Sequence, residues 1–140
     1  MSKVAVVWWS GTGNTEKMAN AVAEGAREKG AEVMMTGPAG FGGADVSSYD
    51  AIAFGCPAMG AEQLEEEEYQ PMWDEVKGSL SGKKVALFGS YGWGDGEWMR
   101  LWADEARSAG ADLVSDGLML NGEPDEDGEA DCKALGGALA

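Results

Sequence analysis

Segments with the apolar pattern of β-strands alternate with segments of helical periodicity along the whole chain, and this order constrains the fold more than any other feature. Residues 4–9 are apolar without polar alternation, which is typical of a strand covered on both faces. Strands are predicted at residues 4–9, 32–36, 51–55, 84–88 and, with a break at Asp116-Gly117, at 111–114 and 118–120. Helices are predicted at about residues 14–29, from about Pro71, from Asp95 as the cap to 109, and after Pro124-Asp125.

Strands that alternate with helices form a parallel sheet with right-handed crossovers and helices on both faces. The prediction is an α/β fold in three layers, with a five-stranded parallel sheet in the order 2-1-3-4-5. The glycine-rich crossover at residues 37–48 is expected to be a loop or a weak helical turn. Ligands of such open sheets bind outside the carboxyl ends of the strands. The loops that start at residues 10, 56 and 89 therefore carry the candidate site.

Residues 1–140 are predicted to form a single domain, because a chain of this length builds one core. The formal net charge of −15 argues against nucleic acid and anionic membranes as partners, and for attraction to basic protein surfaces. The absence of histidine removes the commonest general base and metal ligand. No signal or membrane segment is recognised, so a cytoplasmic location is expected. Cys56 and Cys132 are interpreted as two reduced thiols.

The first loop, Ser10-Gly11-Thr12-Gly13-Asn14-Thr15, connects a predicted strand directly to a predicted helix. Its hydroxyls and the N–H groups at the helix N-terminus suit a tetrahedral anion. A tight turn of small polar residues is the alternative. A Walker A loop would need Lys before Ser or Thr, and a dinucleotide fingerprint would need Gly in place of Glu16. The loop itself contains no Lys or Arg, so a bound phosphate would keep its negative charge.

The second and third loops add groups that suit a flat ring. Met59 is predicted at a loop tip, where its sulfur favours an aromatic contact, although core packing is an alternative. Gly60 can adopt either carbonyl orientation, and Glu62 can accept a ring N–H. Trp93 has a glycine on each side, which favours stacking on a planar ligand over a place in the core. Trp8, Trp98 and Trp102 are predicted to be core residues.

The three loops resemble the FMN loops of short-chain, clostridial-type flavodoxins. The resembling segments are residues 9–15, 55–60 and 89–94, and residues 121–125 are similar to the family's Asn-Glu-Pro-Asp segment with Gly122 inserted. The resemblance implies FMN as the cofactor and a flavodoxin-like sheet. The predicted cofactor-binding residues are Trp9, Ser10, Gly11, Thr12, Gly13, Asn14, Thr15, Pro57, Ala58, Met59, Gly60, Ala61, Glu62, Ser90, Tyr91, Gly92, Trp93, Gly94 and Asp95, with no catalytic residue and no metal ligand.

The resemblance further implies a low-potential one-electron carrier that cycles between FMN semiquinone and hydroquinone, with the Gly60 carbonyl turning toward the flavin. At residue 61 this chain has alanine, where the family often has a polar residue after the loop glycine. The expected partners are redox proteins with basic docking surfaces that otherwise use ferredoxin, and the chain is expected to be a monomer and not an enzyme. A small FMN-dependent NAD(P)H reductase on the same fold is the alternative. A phosphoacceptor receiver domain would need acidic residues where Trp9-Ser10 and Cys56-Pro57 stand.

Overall fold

The computed structural model describes residues 2–11, 13–59, 63–92 and 94–140. Within them the strands are β1 Lys3–Trp8, β2 Glu32–Thr36, β3 Ala51–Gly55, β4 Lys84–Tyr91, β5 Asp112–Leu113 and β6 Leu118–Asn121. The α-helices are α1 Asn14–Glu28, α2 Tyr69–Val76, α3 Glu97–Ser108 and α4 Glu126–Leu139. Short 3₁₀ helices occur at Pro38–Gly40, Gly43–Ser48 and Lys77–Ser79.

The strands form one parallel sheet in the order β2-β1-β3-β4-β5, with β6 also paired to β4. The predicted order 2-1-3-4-5 is therefore confirmed. The fifth position is shared by two short strands, because β5 pairs with the start of β4 at Lys84 and Val85, whereas β6 pairs with its end, residues 88–91. The predicted break between the last two strand segments is confirmed at residues 114–117.

Two hydrophobic layers enclose the sheet, because alternate side chains of each buried strand point to opposite faces. On one face Val7, Phe54 and Leu87 pack against the side of α2 and α3 that carries Trp73 and Trp102. On the other face the partners of the sheet are α1 and α4, through residues that include Met18, Val22, Cys132, Leu135 and Leu139. The core thus leaves the carboxyl ends of the strands uncovered by helices.

The helix boundaries differ from the prediction in two places. α2 begins at Tyr69, two residues before Pro71, because the Glu65 carboxylate accepts the N–H groups of Tyr69 and of the N-cap residue Glu68. Proline fits there since the first turn of a helix needs no N–H donor. Asp95 was predicted to be the N-cap of α3, and this prediction was wrong. Gly96 occupies the N-cap position with φ 91°, and α3 begins at Glu97. The Asp95 carboxylate accepts a hydrogen bond from Arg100 instead.

Strand β4 is longer than predicted and reaches Tyr91, because β6 supplies a hydrogen-bonding neighbour for residues 88–91. Ser90 and Tyr91 are therefore strand residues and not loop residues. Trp8 was predicted in the core but is only half-buried, because it is the last residue of β1 and packs at the margin of the layer. Trp98 and Trp102 are core residues as predicted, each 2% exposed.

Leu101 of α3 is exposed, with 57% of its surface accessible. The buried face of α3 consists of Trp98, Met99, Trp102, Ala103 and Ala106. These residues follow helical spacing that turns Leu101 to solvent. None of the helices in the described part of the chain is long and apolar enough to span a membrane.

Candidate cofactor site

A cavity of about 240 Å³ lies at the carboxyl ends of β1, β3 and β4. It is the position that the strand order predicts for a ligand. Its lining residues come from the three predicted loops and from one further segment: Trp9, Gly11, Asn14, Pro57, Ala58, Met59, Ser90, Tyr91, Gly92 and Gly122. All of these except Gly122 were predicted as cofactor-binding residues. The fold therefore brings together side chains that are up to 113 positions apart in sequence, from Trp9 to Gly122.

The first loop leads directly into the N-terminus of α1. Its N-cap is Gly13 with φ 96°, a left-handed conformation that favours glycine, and it has no side chain to cap the first helical N–H groups. The Ser10 hydroxyl accepts the Gly13 N–H at 2.9 Å and shapes the turn. A helix N-terminus with this form attracts anions through its N–H groups and its dipole.

The first and third loops are joined beneath the cavity by Thr15 and Ser90. Thr15 is 1% exposed and Ser90 5% exposed, and their hydroxyl oxygens are 3.1 Å apart. The Ser90 N–H also donates to Thr15 Oγ1 at 3.3 Å. Ser90 of β4 therefore contacts the last residue of the first loop, and this contact fixes the distance between two walls of the cavity.

The second loop is tied to β4 and to α3. The Ala58 N–H donates to the Ser90 carbonyl at 3.1 Å, and the Trp98 indole N–H donates to the Cys56 carbonyl at 3.1 Å. Met59 and Gln63 exchange two backbone hydrogen bonds, of 2.9 and 3.1 Å, as an antiparallel bridge. Met59 is half-buried and lines the cavity, so its sulfur is available to a ligand ring.

Glu65 anchors the far end of the second loop. Its carboxylate, on a residue only 8% exposed, accepts the N–H groups of Glu67, Glu68 and Tyr69 at 2.8, 2.7 and 2.9 Å. Burial acts to raise the pKa of this carboxyl, but the three N–H donors favour the charged form and bring the pKa below its usual value. Glu65 is therefore a carboxylate that organises the connection between the cavity and α2.

Two further ionisable groups lie under this loop and are held neutral. Burial raises the pKa of the Cys56 thiol to about 12, and burial raises the pKa of Tyr69 well above its ordinary value. The Tyr69 hydroxyl donates to the Val7 carbonyl at 2.7 Å, and the Glu65 N–H points to Cys56 Sγ at 3.5 Å. Both groups pack the loop in place. Cys56 and Cys132 are free thiols, as predicted.

The third loop begins where β4 ends at Tyr91, whose ring lines the cavity and lies 5.7 Å from that of Trp98. Gly92 and Gly94 are exposed, and Gly94 has φ 86°. The predicted site residues Ser10, Gly13, Thr15, Gly94 and Asp95 lie beside the cavity lining and not in it. Thr12, Gly60, Ala61, Glu62 and Trp93, which carry several of the predicted contacts, lie outside the described residues.

Gly122 was missed as a site residue. It follows β6, has φ 71° and donates its N–H to the Tyr91 carbonyl at 2.9 Å. The next residue, Glu123, forms an ion pair with Lys17, so this fourth segment is connected to α1. The similarity of residues 121–125 to the family's Asn-Glu-Pro-Asp segment could have pointed to Gly122. The spacing of these residues alone could not show that they lie at the carboxyl edge of the sheet.

The residues of the cavity fit a ligand with an anionic tail and a flat ring. The anionic end is served by the uncapped start of α1, while Trp9, Met59 and Tyr91 provide an aromatic and sulfur-containing wall. The nearest cation to that loop in sequence, Lys17, is already paired with Glu123. Among the described residues no group of three or more His, Cys, Asp or Glu side chains is arranged to hold a metal ion.

Known proteins share this chain's sequence and fold. A family model described as flavodoxin matches residues 6–136. A flavodoxin of Clostridium beijerinckii is 45% identical over 135 residues, which cover 96% of this chain and 97% of the relative. The chain belongs to the flavodoxin family. A flavodoxin of Megasphaera elsdenii is 44% identical over 98% of both chains. The solution structure of two-electron reduced M. elsdenii flavodoxin superimposes with a TM-score of 0.87 over 97% of both chains, at 43% identity.

Membership of the flavodoxin family defines the general function. Flavodoxins are electron-transfer proteins with FMN as cofactor, and this chain is an FMN-based electron carrier. The predicted family, fold and cofactor are therefore confirmed, and an FMN-dependent NAD(P)H reductase is not favoured. The redox function implies protein partners that donate and accept electrons.

Proposed function

We propose that this flavodoxin-family chain, residues 1–140, is one FMN-binding domain that passes single electrons at low potential between redox enzymes and catalyses no reaction itself. The observation that supports this most is the cavity at the carboxyl edge of the sheet, where an uncapped helix N-terminus meets an aromatic wall. FMN supplies reversible one-electron chemistry when bound there. The protein supplies binding, orientation and electrostatics.

We assign the phosphate of FMN to the first loop, residues 10–15. This loop surrounds the start of α1, where the dipole and N–H groups favour an anion. We assign the ring to the space between the second and third loops, with Met59, Trp93 and Tyr91 as neighbours and Glu62 as the acceptor of a ring N–H. The half-buried position of Met59 and the cavity-lining position of Tyr91 support this assignment. We also assign Gly60 and Ala61 of the second loop to the part of the site that contacts the ring.

We propose that negative charge at the cavity rim keeps the reduction potential low. Glu66, Glu67 and Glu68 are exposed beside the second loop. Each carboxylate about 10 Å from an added electron opposes it by roughly 0.4–0.8 kcal/mol before salt screening. Lys17 of α1 and Arg100 of α3 each pair with a carboxylate, which reduces the opposing effect of these two positive charges. Added salt is therefore expected to raise the potential, and a potential independent of ionic strength would count against this proposal.

The same acidic rim is the proposed docking surface for redox partners with basic surfaces, including oxidoreductases that otherwise use ferredoxin. Complementary charge raises the rate of encounter more than the affinity. We propose that the chain is a monomer in the cytoplasm. A salt-dependent electron-transfer rate with a basic redox enzyme, measured at several ionic strengths, tests the docking surface.

Stripping and reconstitution test the carrier function directly. The apoprotein is titrated with FMN while flavin fluorescence is recorded, and the complex is then reduced stepwise under anaerobic conditions. Saturable binding of one FMN per chain and two resolved one-electron steps are expected. The absence of FMN binding would overturn the proposal. Incubation with NADH alone separates the alternatives, since a carrier oxidises it negligibly and a reductase turns it over.

A further inference from the structure

The side chain of Trp9 forms part of the cavity wall and is held from outside the cavity by Glu68. Its indole Nε1–H donates to Glu68 Oε2 at 3.1 Å. Trp9 is half-buried and lines the cavity, whereas Glu68 is exposed. The two residues are 59 positions apart in sequence. Their hydrogen bond therefore connects the end of β1 to the start of α2.

The carboxylate that holds Trp9 is attached to a fixed segment of backbone. Glu68 occupies the N-cap position of α2, and its N–H is bound by the buried Glu65 carboxylate at 2.7 Å. The next residue, Tyr69, donates its hydroxyl to the Val7 carbonyl of β1 at 2.7 Å. Successive residues at the start of α2 thus contact the end of β1, so the Glu68 side chain reaches Trp9 from an anchored position.

The opposite side of the Trp9 ring rests on the first loop. A Cβ atom added at Gly11 would lie 3.2 Å from Cη2 of the indole, which is tighter than most real contacts. The ring consequently lies between Gly11 of the first loop on one side and the Glu68 carboxylate, outside the cavity, on the other. A ring in this position has little freedom to turn away while the hydrogen bond to Glu68 is intact.

We propose that Glu68 is a positioning residue for the cofactor site, which acts by holding the Trp9 indole against the first loop as a wall of the cavity. This inference rests on the proposed FMN site and adds to it a residue that does not line the cavity. The competing explanation is that Glu68 contributes only its charge to the acidic rim, as Glu67 does. The two explanations differ in what a neutral hydrogen-bond acceptor at residue 68 would do.

Three variants separate these explanations. Glu68→Ala removes the acceptor and the charge, Glu68→Gln removes the charge but keeps an acceptor oxygen, and Glu67→Ala removes an adjacent exposed charge that has a different side-chain position. Because each replaced side chain is exposed, folding of the variants is expected, and thermal unfolding checks it.

The first readout is the indole ¹H–¹⁵N resonance of Trp9 in the apoprotein, assigned by its loss in Trp9→Phe. In Glu68→Ala this resonance is expected to shift and its hydrogen exchange to accelerate, while Glu68→Gln retains protection and Glu67→Ala leaves the resonance unchanged. An unmoved Trp9 resonance in Glu68→Ala would overturn the proposal. This measurement requires no FMN, so it stands whether or not the proposed cofactor site is correct.

The second readout is the dissociation constant of FMN from fluorescence titration. Glu68→Ala is expected to weaken binding by about 3- to 10-fold, the size of one hydrogen bond, and Glu68→Gln should restore most of it. In the Trp9→Phe background Glu68→Ala should have no further effect. Equal effects of Glu68→Ala, Glu68→Gln and Glu67→Ala would mean that charge alone acts, which refutes the proposal. Failure of the wild-type protein to bind FMN would refute the proposed function instead.

Discussion

The hydroxyl oxygens of Thr15 and Ser90 lie 3.1 Å apart, in contact between the first turn of α1 and the end of β4. Both residues are buried, and Thr15 is the last residue of the proposed phosphate loop. The two hydroxyls are hydrogen-bond partners of each other. The Ser90 N–H also donates to Thr15 Oγ1. This pair sets the position of the first loop relative to the third.

Replacement of Thr15 by Val removes the shared hydroxyl while it keeps the shape of the side chain. The Ser90 N–H and hydroxyl then lose a partner in a buried place, so the free energy of unfolding is expected to fall by about 1–3 kcal/mol. FMN binding is expected to weaken as well. Urea denaturation and fluorescence titration measure the two effects.

Thr36→Val is a matched control for this variant. The Thr36 hydroxyl donates to the Gly37 carbonyl at 3.1 Å in a half-buried position on β2, away from the cavity. Its loss is expected to cost less stability and to leave FMN binding unchanged. If the two variants weaken FMN binding equally, the Thr15–Ser90 contact has no special role in the site.

The lowered pKa of the Glu65 carboxyl predicts that the stability of the protein depends on pH in the acid range. Because the pKa of its carboxyl is lowered in the folded protein, its contribution is complete above the unfolded pKa of about 4.3 and is lost as pH falls through that value toward the folded pKa. Glu65→Gln is therefore expected to lower stability by about 1–2 kcal/mol at pH 7 and to make stability less dependent on pH between about 3 and 5. Urea midpoints measured across this range test the expectation.

Glu67→Gln serves as the control, because this neighbouring side chain is exposed while only its backbone N–H contacts Glu65. Its stability should decline with acid in parallel with the wild type. A Glu65→Gln curve that is also parallel to the wild type would contradict the capping role of the Glu65 carboxylate.

Close contact between α1 and α4 depends on glycine at residue 136. A Cβ there would lie 1.9 Å from the Val22 carbonyl oxygen, and a Cβ at Gly25 would lie 2.0 Å from the Lys133 carbonyl oxygen. Gly136→Ala therefore forces the helix backbones apart, at an expected cost of about 1–3 kcal/mol. A Cβ at the adjacent Gly137 would have Lys29 Cγ as its nearest neighbour, at 3.4 Å, so Gly137→Ala is expected to be neutral or stabilising by less than about 1 kcal/mol. Equal stabilities of the two variants in urea denaturation would exclude tight packing at residue 136.

This glycine pair also illustrates what the sequence could and could not predict. Helix propensity assigns the same local cost to Gly136 and Gly137, because it takes no account of tertiary contacts. The compensating close approach to Val22 depends on tertiary packing. The strands and helices were predictable since apolar runs and glycine-bounded helices are local signals. Their alternation then predicted the strand order, and the strand order indicated which three loops lie at the carboxyl edge of the sheet.

Features that depend on a distant partner were not predictable in the same way. The extension of β4 to Tyr91 requires β6 as its neighbour. Gly122 reaches the cavity only because β6 pairs with the end of β4. In each case the structure depends on a contact between segments that are far apart in sequence, and the local residue pattern cannot predict such a contact.

Leu101 and Met99 provide a test of which face of α3 is buried. It is 57% exposed, whereas Met99 on the same helix is 1% exposed. Leu101→Ala is expected to change the free energy of unfolding by less than about 0.5 kcal/mol, since little apolar surface is lost and alanine favours a helix. Met99→Ala creates a cavity in the core and is expected to cost about 2–5 kcal/mol. Urea denaturation of both variants measures the difference, and a cost above about 2 kcal/mol for Leu101→Ala would show that this side chain is buried in solution.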